Sequence, residues 1–387
     1  MGWPNNYVQG FYDETGNVVG ISGSNGSGVY LGNKDISTKR IKVGMNYFPG
    51  WAPVDNRWVD IPADRMPLQG QYDETLQSVI DKQIQQMRDY GIDFVYIDWY
   101  LDTTTHDHTS STLVPSGEHW VNGFMSSTVP GKPKFCINFA NSDNASRLSN
   151  ANFASCITYF INNYFSNSNY LKIDGKPVLM FVTADATNAN LTGGTALGSN
   201  TICFPLAKTM TIAAGYPDLF ITAGMSNSSN YWKAQMLSQQ VDAIYILNSN
   251  KRYDPVGDNV DPKKNRTFSD IIYSAYGAIN GLYKSWTDDW VGSSAVTTGH
   301  IKLWCPISSG FDNTPWTPTT ILKGMPTESE FAKHLADVRT FAESNYTYTN
   351  GFVTIQSWNE YGEGGVCEPT VSHGFRKLEL IKDILSC

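Results

Sequence analysis

Residues 74–99 read ETLQSVIDKQIQQMRDYGIDFVYIDW and contain two patterns in succession. The first part has apolar residues three or four positions apart, which form one stripe on a helix: Leu76, Val79, Ile80, Ile84 and Met87. Gly91 suits the end of that helix. Residues 92–99 are a mostly apolar run typical of a strand buried on both faces. The stretch therefore predicts a helix followed at once by a buried strand.

The same alternation continues from residue 41 to the C-terminus. Strands are predicted at 41–48, 92–99, 134–140, 177–183, 218–224, 241–247, 301–307 and 352–358. Helices are predicted at 74–91, 151–165, 269–286, 328–345 and 375–385. Eight strands alternating with helices favour an α/β fold of the (β/α)8 TIM-barrel type. A doubly wound open sheet is the alternative, but no G-x-G-x-x-G or phosphate loop follows the first strand.

The first 40 residues have a different pattern. Short β-like runs alternate with Gly, Asn and Ser turns between residues 7 and 33, which predicts one or two hairpins. We therefore expect two units, a small N-terminal β appendage at 1–40 and a catalytic barrel at 41–387.

Composition excludes several classes of partner. The 387-residue chain is 41% hydrophobic, which is enough for a large core, but only 17% charged, with a net charge of −8. Nucleic acid and anionic membranes are therefore poor partners. No apolar run reaches the length of a membrane span, and the first residues lack the charged-then-apolar pattern typical of a signal peptide. Asparagine glycosylation motifs give weak support for a secreted, cell-surface or periplasmic location, and we expect a monomer.

Cysteine and histidine spacing predicts no metal or cofactor. None of the six cysteines forms a C-x-x-C pair, and Cys136 and Cys305 lie in apolar strands. A disulfide among the other four remains open. His106 and His108, with His119 further on, leave a metal site as an alternative, but nothing fixes three or four converging ligands.

The predicted strand ends carry side chains suited to sugar recognition. Substrates of barrel enzymes bind at the C-terminal ends of the strands. Flat aromatic faces there can stack on a sugar ring, and short polar groups can bind hydroxyls. The predicted substrate contacts are Tyr47, Trp51, Asp98, Trp99, Asn138, Tyr245, Asp312, Trp358 and Asn359. Several could instead belong to the core, and Asp312 could instead form a turn.

The last strand runs into 357-SWNEYGEGGVCEPT-370, which holds Glu360 and Glu363. Hydrolysis of a glycosidic bond needs one protonated acid and a second carboxylate as base or nucleophile. The glycines allow a tight turn that aims two side chains into one pocket, and neighbouring aromatics would raise the pKa of whichever carboxylate acts as acid. A solvated Glu-rich loop is the alternative. Position at the end of a barrel strand favours a catalytic pair.

Asp98 offers a second interpretation. It ends the second predicted strand, where it could act as nucleophile in an ordinary double displacement with one of the glutamates. The alternative is a structural carboxylate that accepts hydrogen bonds at the barrel rim.

The motif W-N-E-Y-G-E-G-G-V-C-E-P resembles W-N-E-W-x-E-G-x-x-x-E-P, the closing motif of glycoside hydrolase family 99 and its WbsX-like relatives. Three stretches agree in order: 46-NYFPGWAP-53 with a Tyr-Tyr-x-Pro-x-Trp opening, 67–99 with a P-x-x-G-x-Y-D, helix and strand block, and 306-PISSGFDNTPW-316 with a P-G-[FWY]-D-[ND]-T turn. The resemblance runs from about residue 41 to the C-terminus.

The resemblance implies a retaining endo-α-mannosidase-like hydrolase that needs no metal and works through a 1,2-anhydro sugar. Glu360 would then be the base that deprotonates the sugar's 2-hydroxyl, and Glu363 the acid and later the base. At Gly362 the sequence departs from the hydrolases, which often carry His at this position of the motif. A glycan substrate is the expected partner.

Two other functions remain open. A WbsX-like glycosyltransferase would need a nucleotide-sugar site, and the sequence has no Asp-x-Asp pair or Gly-rich phosphate loop to supply it. A non-catalytic glycan-binding barrel would need neither Glu360 nor Glu363.

Overall fold

A ring of parallel strands forms the centre of the molecule, in a computed structural model that describes residues 9–12, 18–22, 39–51, 57–101, 115–116, 118–140, 150–182, 196–224, 240–245, 268–273, 301–316 and 324–386. The strands are β1 (Lys42–Tyr47), β2 (Phe94–Leu101), β3 (Lys134–Phe139), β4 (Lys176–Phe181), β5 (Phe220–Gly224), β6 (Ala243–Tyr245), β7 (Lys302–Leu303 and Cys305–Ser308) and β8 (Phe352–Gln356).

The ring closes through β7. Strands β1 to β6 pair in chain order, the first part of β7 pairs with β6, and its second part pairs with β8, which pairs with β1. Only Trp304 separates the two parts of β7. The described residues therefore form an eight-stranded parallel barrel, and the predicted (β/α)8 fold is confirmed. Two short strands, Pro115–Ser116 and Lys172–Ile173, pair antiparallel with β2 and β4.

Helices connect the strands. They are α1 (Gln77–Asp89), α2 (Glu118–Ser126), α3 (Asn150–Asn163), α4 (Ala196–Ala213), α5 (Phe268–Tyr273), α6 (Glu328–Ser344), α7 (Tyr346–Thr349) and α8 (Arg376–Leu385), with a 3-10 turn at Arg57–Asp60. Four of the five predicted helices match α1, α3, α6 and α8 within a few residues. The fifth, 269–286, is described only as far as residue 273.

Helix α1 shows how the apolar stripe works. Ile80, Ile84 and Met87 are buried against the barrel. Leu76, placed in the stripe from the sequence, is instead the residue before the helix and is 51% exposed. The helix begins at Gln77, one residue after Leu76, and so Leu76 lies outside the buried face.

Helices α2 and α4 were not among the predicted elements. Helix α4 contains Gly198 and Pro205, both poor helix formers, so local propensity argues against it. Cys203, Phe204 and Ala207 are nevertheless fully buried. Tertiary burial of one face therefore overrides the weak helix propensity of this segment.

The N-terminal appendage is described in part. Gln9–Tyr12 and Val18–Ser22 form an antiparallel pair with an irregularity between Phe11 and Tyr12. One hairpin is thus present where one or two were predicted. The boundary at residue 40 stays a prediction.

The barrel interior is apolar at the start of the strands and polar at their ends. Trp304 stacks on Phe352 with ring centroids 4.5 Å apart, and Phe94 lies edge-on to Trp304 at 5.6 Å. Near the C-terminal ends, Asn46 and Asp98 are buried polar residues. Buried polar groups therefore concentrate at the C-terminal end of the barrel.

The described cysteines, Cys136, Cys156, Cys203, Cys305 and Cys367, are all buried and free, so no disulfide joins any two of them. Cys387 lies outside the described residues. No helix in the described part of the chain is long and apolar enough to cross a membrane.

Candidate active site

The chain forms a small hairpin directly after β8, which we call the acidic hairpin (residues 359–366). Its strands are β9 (Asn359–Glu360) and β10 (Gly365–Val366), with Glu360 paired to Gly365. The Glu363 amide donates to the Glu360 carbonyl at 3.1 Å, which closes the turn. Gly364 has φ +79°, a left-handed conformation that favours glycine. The sequence of this segment thus encodes a tight turn that holds both glutamates.

The acidic hairpin is fixed at its base. The Glu360 amide donates to Ser357 Oγ at 3.2 Å, and the Cys367 amide donates to the Ser357 carbonyl at 2.9 Å. Glu360 is 8% exposed, whereas Glu363 is half-buried. The two carboxylates therefore lie on one rigid turn at the C-terminal rim, with different access to solvent.

A second rim segment, residues 311–316, supports the acidic hairpin. The Asp312 amide donates to the Glu363 carbonyl at 2.7 Å, and Arg65 Nη1 donates to the Tyr361 carbonyl at 2.9 Å. Asp312 Oδ2 pairs with Arg65 at 2.8 Å, and its Oδ1 accepts from Thr314. Burial alone would raise the pKa of Asp312, but the Thr314 hydrogen bonds and the Arg65 charge lower it below its usual value. Asp312 thus forms a turn and an ion pair, and its predicted contact with substrate stays a prediction.

Trp316 lies against the turn between the two glutamates. An added Cβ at Gly362 would come within 1.9 Å of Trp316 Cε2. The indole therefore fills the space that any side chain at position 362 would need. Trp316 is partly exposed and lies 6.0 Å from the Phe48 ring, and the Arg57 guanidinium stands 5.8 Å from the indole centroid. Sequence reasoning missed this residue, although it ends the FDNTPW segment.

The structure joins Asp98, Asn138 and Tyr245 in one polar layer with Asn46. Asp98 Oδ1 accepts from Asn46 Nδ2 at 2.9 Å and from Asn138 Nδ2 at 2.7 Å. Tyr245 donates to Asn138 Oδ1 at 2.9 Å. Strands β3 and β6 are not neighbours, so this last bond crosses the barrel interior. The layer forms a polar floor beneath the rim.

Tyr47, Trp51 and Asn359 use their polar groups within the protein. Asn359 accepts from the Phe48 amide and donates to the Phe48 carbonyl, both at 2.9 Å. Trp51 Nε1 donates to the Asn359 carbonyl at 2.9 Å, and the Tyr47 hydroxyl lies 3.1 Å from Glu74 Oε2. Trp51 and Asn359 connect the segment after β1 to the acidic hairpin, whereas Tyr47 connects β1 to Glu74 and Gln83. The predicted contact of Tyr47, Trp51 and Asn359 with substrate stays a prediction.

Two predicted tryptophans are fully buried. Trp99 packs on Phe139 and Phe160, with centroids 5.4 and 4.8 Å away, which places its ring against α3. Neighbouring residues of a strand point to opposite faces, so Trp99 does not join Asp98 in the polar floor. Trp358 follows β8, and its amide donates to the Asn46 carbonyl at 2.8 Å.

Behind the acidic hairpin lie two buried carboxylates, Glu74 and Glu368, that sequence reasoning did not single out. Glu368 Oε2 accepts from Tyr361 at 2.6 Å and Tyr72 at 2.8 Å. Its Oε1 accepts from Gln69 Nε2 at 2.9 Å and Gln83 Nε2 at 3.2 Å. Burial raises the pKa of Glu368 to about 7, although these four hydrogen bonds oppose the rise. The Glu-Pro pair that closes the motif was the available signal.

Glu74 extends the same buried cluster. Its Oε1 accepts from the Trp51 amide at 2.8 Å and lies 2.9 Å from His119 Nε2. Burial raises the pKa of Glu74 despite the hydrogen bond with His119. The hydroxyl of Tyr47 lies between Glu74 and Gln83, which links the two carboxylates.

The raised pKa of Glu368 predicts a pH-dependent stability. Between the usual pKa of 4.5 and the folded value of about 7, the folded state holds more protons than the unfolded state. The free energy of unfolding should therefore fall by up to about 3 kcal/mol as pH rises through this window, and level off above it. Glu74 and His334 also have shifted pKa values and contribute their own pH dependence. The measurement is therefore the difference in unfolding free energy between wild type and Glu368→Gln, from urea unfolding between pH 4.5 and 8. A constant difference would contradict the assignment.

Among the described residues, no three His, Cys, Asp or Glu side chains are arranged to hold a metal ion. His106 and His108 lie outside the described ranges. His119 is engaged with Glu74.

Comparison with known proteins adds a family and a fold. Residues 59–381 match the family described as "Glycosyltransferase WbsX". The GH99 endo-alpha-mannosidase from Bacteroides thetaiotaomicron has a similar structure, with a TM-score of 0.62, 12% identity and coverage of 89% of this chain and 96% of that one. A structure described as a glycoside hydrolase-like protein has a TM-score of 0.62, 17% identity and coverage of 92% and 97%. No curated protein matches the sequence significantly.

Proposed function

Because the chain belongs to the Glycosyltransferase WbsX family and has a barrel like that of the GH99 enzyme, we propose that it hydrolyses an α-linked glycan with retention of anomeric configuration. The observation that carries the proposal is the acidic hairpin, which holds Glu360 and Glu363 on one braced turn at the C-terminal rim. Two carboxylates on a rigid turn at this end of a barrel suit glycoside hydrolysis.

The proposed mechanism uses the substrate's own hydroxyl as nucleophile. Glu360 takes the proton of the sugar's 2-hydroxyl while that oxygen attacks the anomeric carbon. The bond to the leaving oxygen breaks, and Glu363 gives this oxygen its proton. In the second step Glu363 takes a proton from water, and the water oxygen attacks the anomeric carbon. The bond between the anomeric carbon and the 2-oxygen breaks, and the 2-oxygen regains its proton from Glu360. Two inversions give net retention.

The surroundings of the acidic hairpin suit a sugar. Trp316 offers a partly exposed indole beside the turn, and Asp98, Asn138 and Tyr245 supply a polar floor. Aromatic faces combined with a few fixed polar groups are typical of small-ligand sites. We propose an oligosaccharide or polysaccharide substrate with endo-α-mannosidase-like cleavage, and an enzyme that acts outside the cytoplasm.

A glycan-library digest tests the proposal. Wild type and the double variant Glu360→Gln/Glu363→Gln are incubated with mannans and other α-linked glycans, and products are followed by mass spectrometry. NMR of the first-formed product reports its anomeric configuration. Release by wild type alone, with retention, supports the proposal. Release of inverted product would exclude the anhydro-sugar route, and no release from any glycan would overturn the hydrolase assignment.

A glycosyltransferase is the second candidate, favoured by the printed description of the family. It predicts that a nucleotide sugar binds and that its sugar is transferred to an acceptor. Incubation with nucleotide sugars and glycan acceptors, without hydrolysis of the glycans alone, would favour this function over the first.

Asp98 as an enzymic nucleophile gives a distinct prediction. Its Oδ1 is held by Asn46 and Asn138, which suits a positioning role. We expect a 2-deoxy-2-fluoro α-glycoside with a good leaving group to leave the protein unmodified, because this sugar lacks the 2-hydroxyl that the proposed route needs. Intact-protein mass spectrometry measures the result. A glycosyl adduct mapped to Asp98 would instead establish ordinary double displacement.

A further inference from the structure

Glu368 is a buried carboxylate beside the acidic hairpin that the mechanism above does not use. It is 3% exposed and accepts hydrogen bonds from four side chains. Resting on the proposed function of Glu360 and Glu363, we propose that Glu368 is a positioning residue that acts through Tyr361 to fix the direction of the two catalytic carboxylates.

Stability alone does not account for such a carboxylate. Removing an ionised group from water costs several kcal/mol, and apolar residues of similar volume often stabilise a protein at least as well. The cluster around Glu368 is instead built from hydroxyl and amide groups, Tyr72, Gln69 and Gln83, that leave its orientation little freedom. Its directional bonds give fixed geometry, which is what a catalytic turn requires.

Only Tyr361 among the four donors belongs to the acidic hairpin. The other three lie between residues 69 and 83, in helix α1 and the segment before it. Glu368 therefore connects the turn to an independent part of the barrel wall. Its own amide donates to the Trp358 carbonyl at 2.9 Å, which ties it to the end of β8 as well.

Tyr361 follows Glu360 in the turn that leads to Glu363, and both its side chain and its carbonyl have partners. Its ring packs edge-on to Trp51 at 5.0 Å and against Trp58 at 5.3 Å. Its carbonyl accepts from Arg65, and its hydroxyl donates to Glu368. Because both the side chain and the carbonyl of Tyr361 are held, these contacts restrict the backbone from 360 to 363. Loss of the hydrogen bond from the Tyr361 hydroxyl to Glu368 would therefore allow the turn between Glu360 and Glu363 to move.

The chain provides a matched pair of variants. Tyr361→Phe and Tyr72→Phe each remove one phenol hydroxyl from the same oxygen of Glu368, and each leaves a buried aromatic ring in place. Both should lower the free energy of unfolding by a similar amount. Only Tyr361→Phe should lower kcat, by about 10- to 100-fold with little change in KM, because small displacements of catalytic groups have effects of this size. Tyr72→Phe should lower kcat by no more than about twofold, because Tyr361 keeps its bond to Glu368 and Gln69 and Gln83 still hold the other carboxylate oxygen.

Hydrogen exchange of amides 357–366 gives a second readout that needs no substrate. Tyr361→Phe should raise exchange in this segment about tenfold, and Tyr72→Phe should not. Equal exchange, or equal kcat loss, in the two variants would overturn the positioning role. If exchange differs between them while wild type cleaves no glycan, the positioning role stands and the proposed hydrolase function fails.

Discussion

Glu363→Gln is expected to lose about 10²- to 10⁴-fold in kcat on a natural glycan, because general acid catalysis contributes rate factors of this size. A natural leaving oxygen is poor and must receive a proton as its bond breaks. Glutamine at position 363 cannot give that proton. Since Glu363 lies half-buried on the turn, the isosteric change should leave the fold intact.

Substrates with different leaving groups separate the roles of the two glutamates. An α-glycosyl fluoride or a dinitrophenyl glycoside needs little acid assistance, so Glu363→Gln should regain much of its first-step rate on these substrates. Glu360→Gln should stay inactive on all of them, because the 2-hydroxyl still needs a base. Burst-phase kinetics with both variants measure the first step. The reverse pattern would mean that the roles are exchanged.

The control for both variants is Glu343→Gln. Glu343 lies at the end of α6, close to the start of β8 and so at the opposite end of the barrel, where it pairs with Arg339 at 3.1 Å. Surface pairs of this kind contribute at most about 1 kcal/mol. Its loss should not change kcat, and a comparable fall in the control would show that loss of any carboxylate, not the acidic hairpin, explains the effect.

Gly362→Ala is expected to lower both stability and kcat through steric conflict. The new Cβ would lie 1.9, 2.2 and 2.3 Å from three indole atoms of Trp316. The indole cannot withdraw easily, because Trp51 and Phe48 pack around it with centroids 6.5 and 6.0 Å away. Overpacking of this kind costs about 1–3 kcal/mol of folding free energy. Displacement of the turn should lower kcat about 100-fold.

Gly365→Ala is the matched control in the same hairpin. Its added Cβ would meet Ser357 Oγ at 3.5 Å and no described atom closer, which is an ordinary contact. This variant should have nearly wild-type stability and kcat in thermal unfolding and glycan assays. Trp316→Ala in the Gly362→Ala background should restore stability by vacating the space. If the two alanine variants behave alike, the Trp316 contact does not determine the position of the turn.

Much of the barrel could be predicted because its signals are local. Each of these signals lies within a single stretch of sequence: the apolar runs of β2 and β8 and the apolar stripe of α1. The spacing of apolar residues alone is enough to assign them. Helix α4 could not be predicted, because its Gly198 and Pro205 weaken the local signal and burial of Phe204 compensates only in the folded chain. Local preference and tertiary packing disagree there, and packing decides.

The candidate site also combines features that local sequence predicts with features that depend on tertiary packing. Chain order and residue type suffice to predict that Glu360 and Glu363 share a glycine-rich turn after the last strand. The groups that support this turn follow only from the folded barrel. Glu368 is bonded by Gln83, 285 positions away, and Trp316 occupies the space beside Gly362. Such contacts depend on how the barrel closes, and no local pattern contains that information.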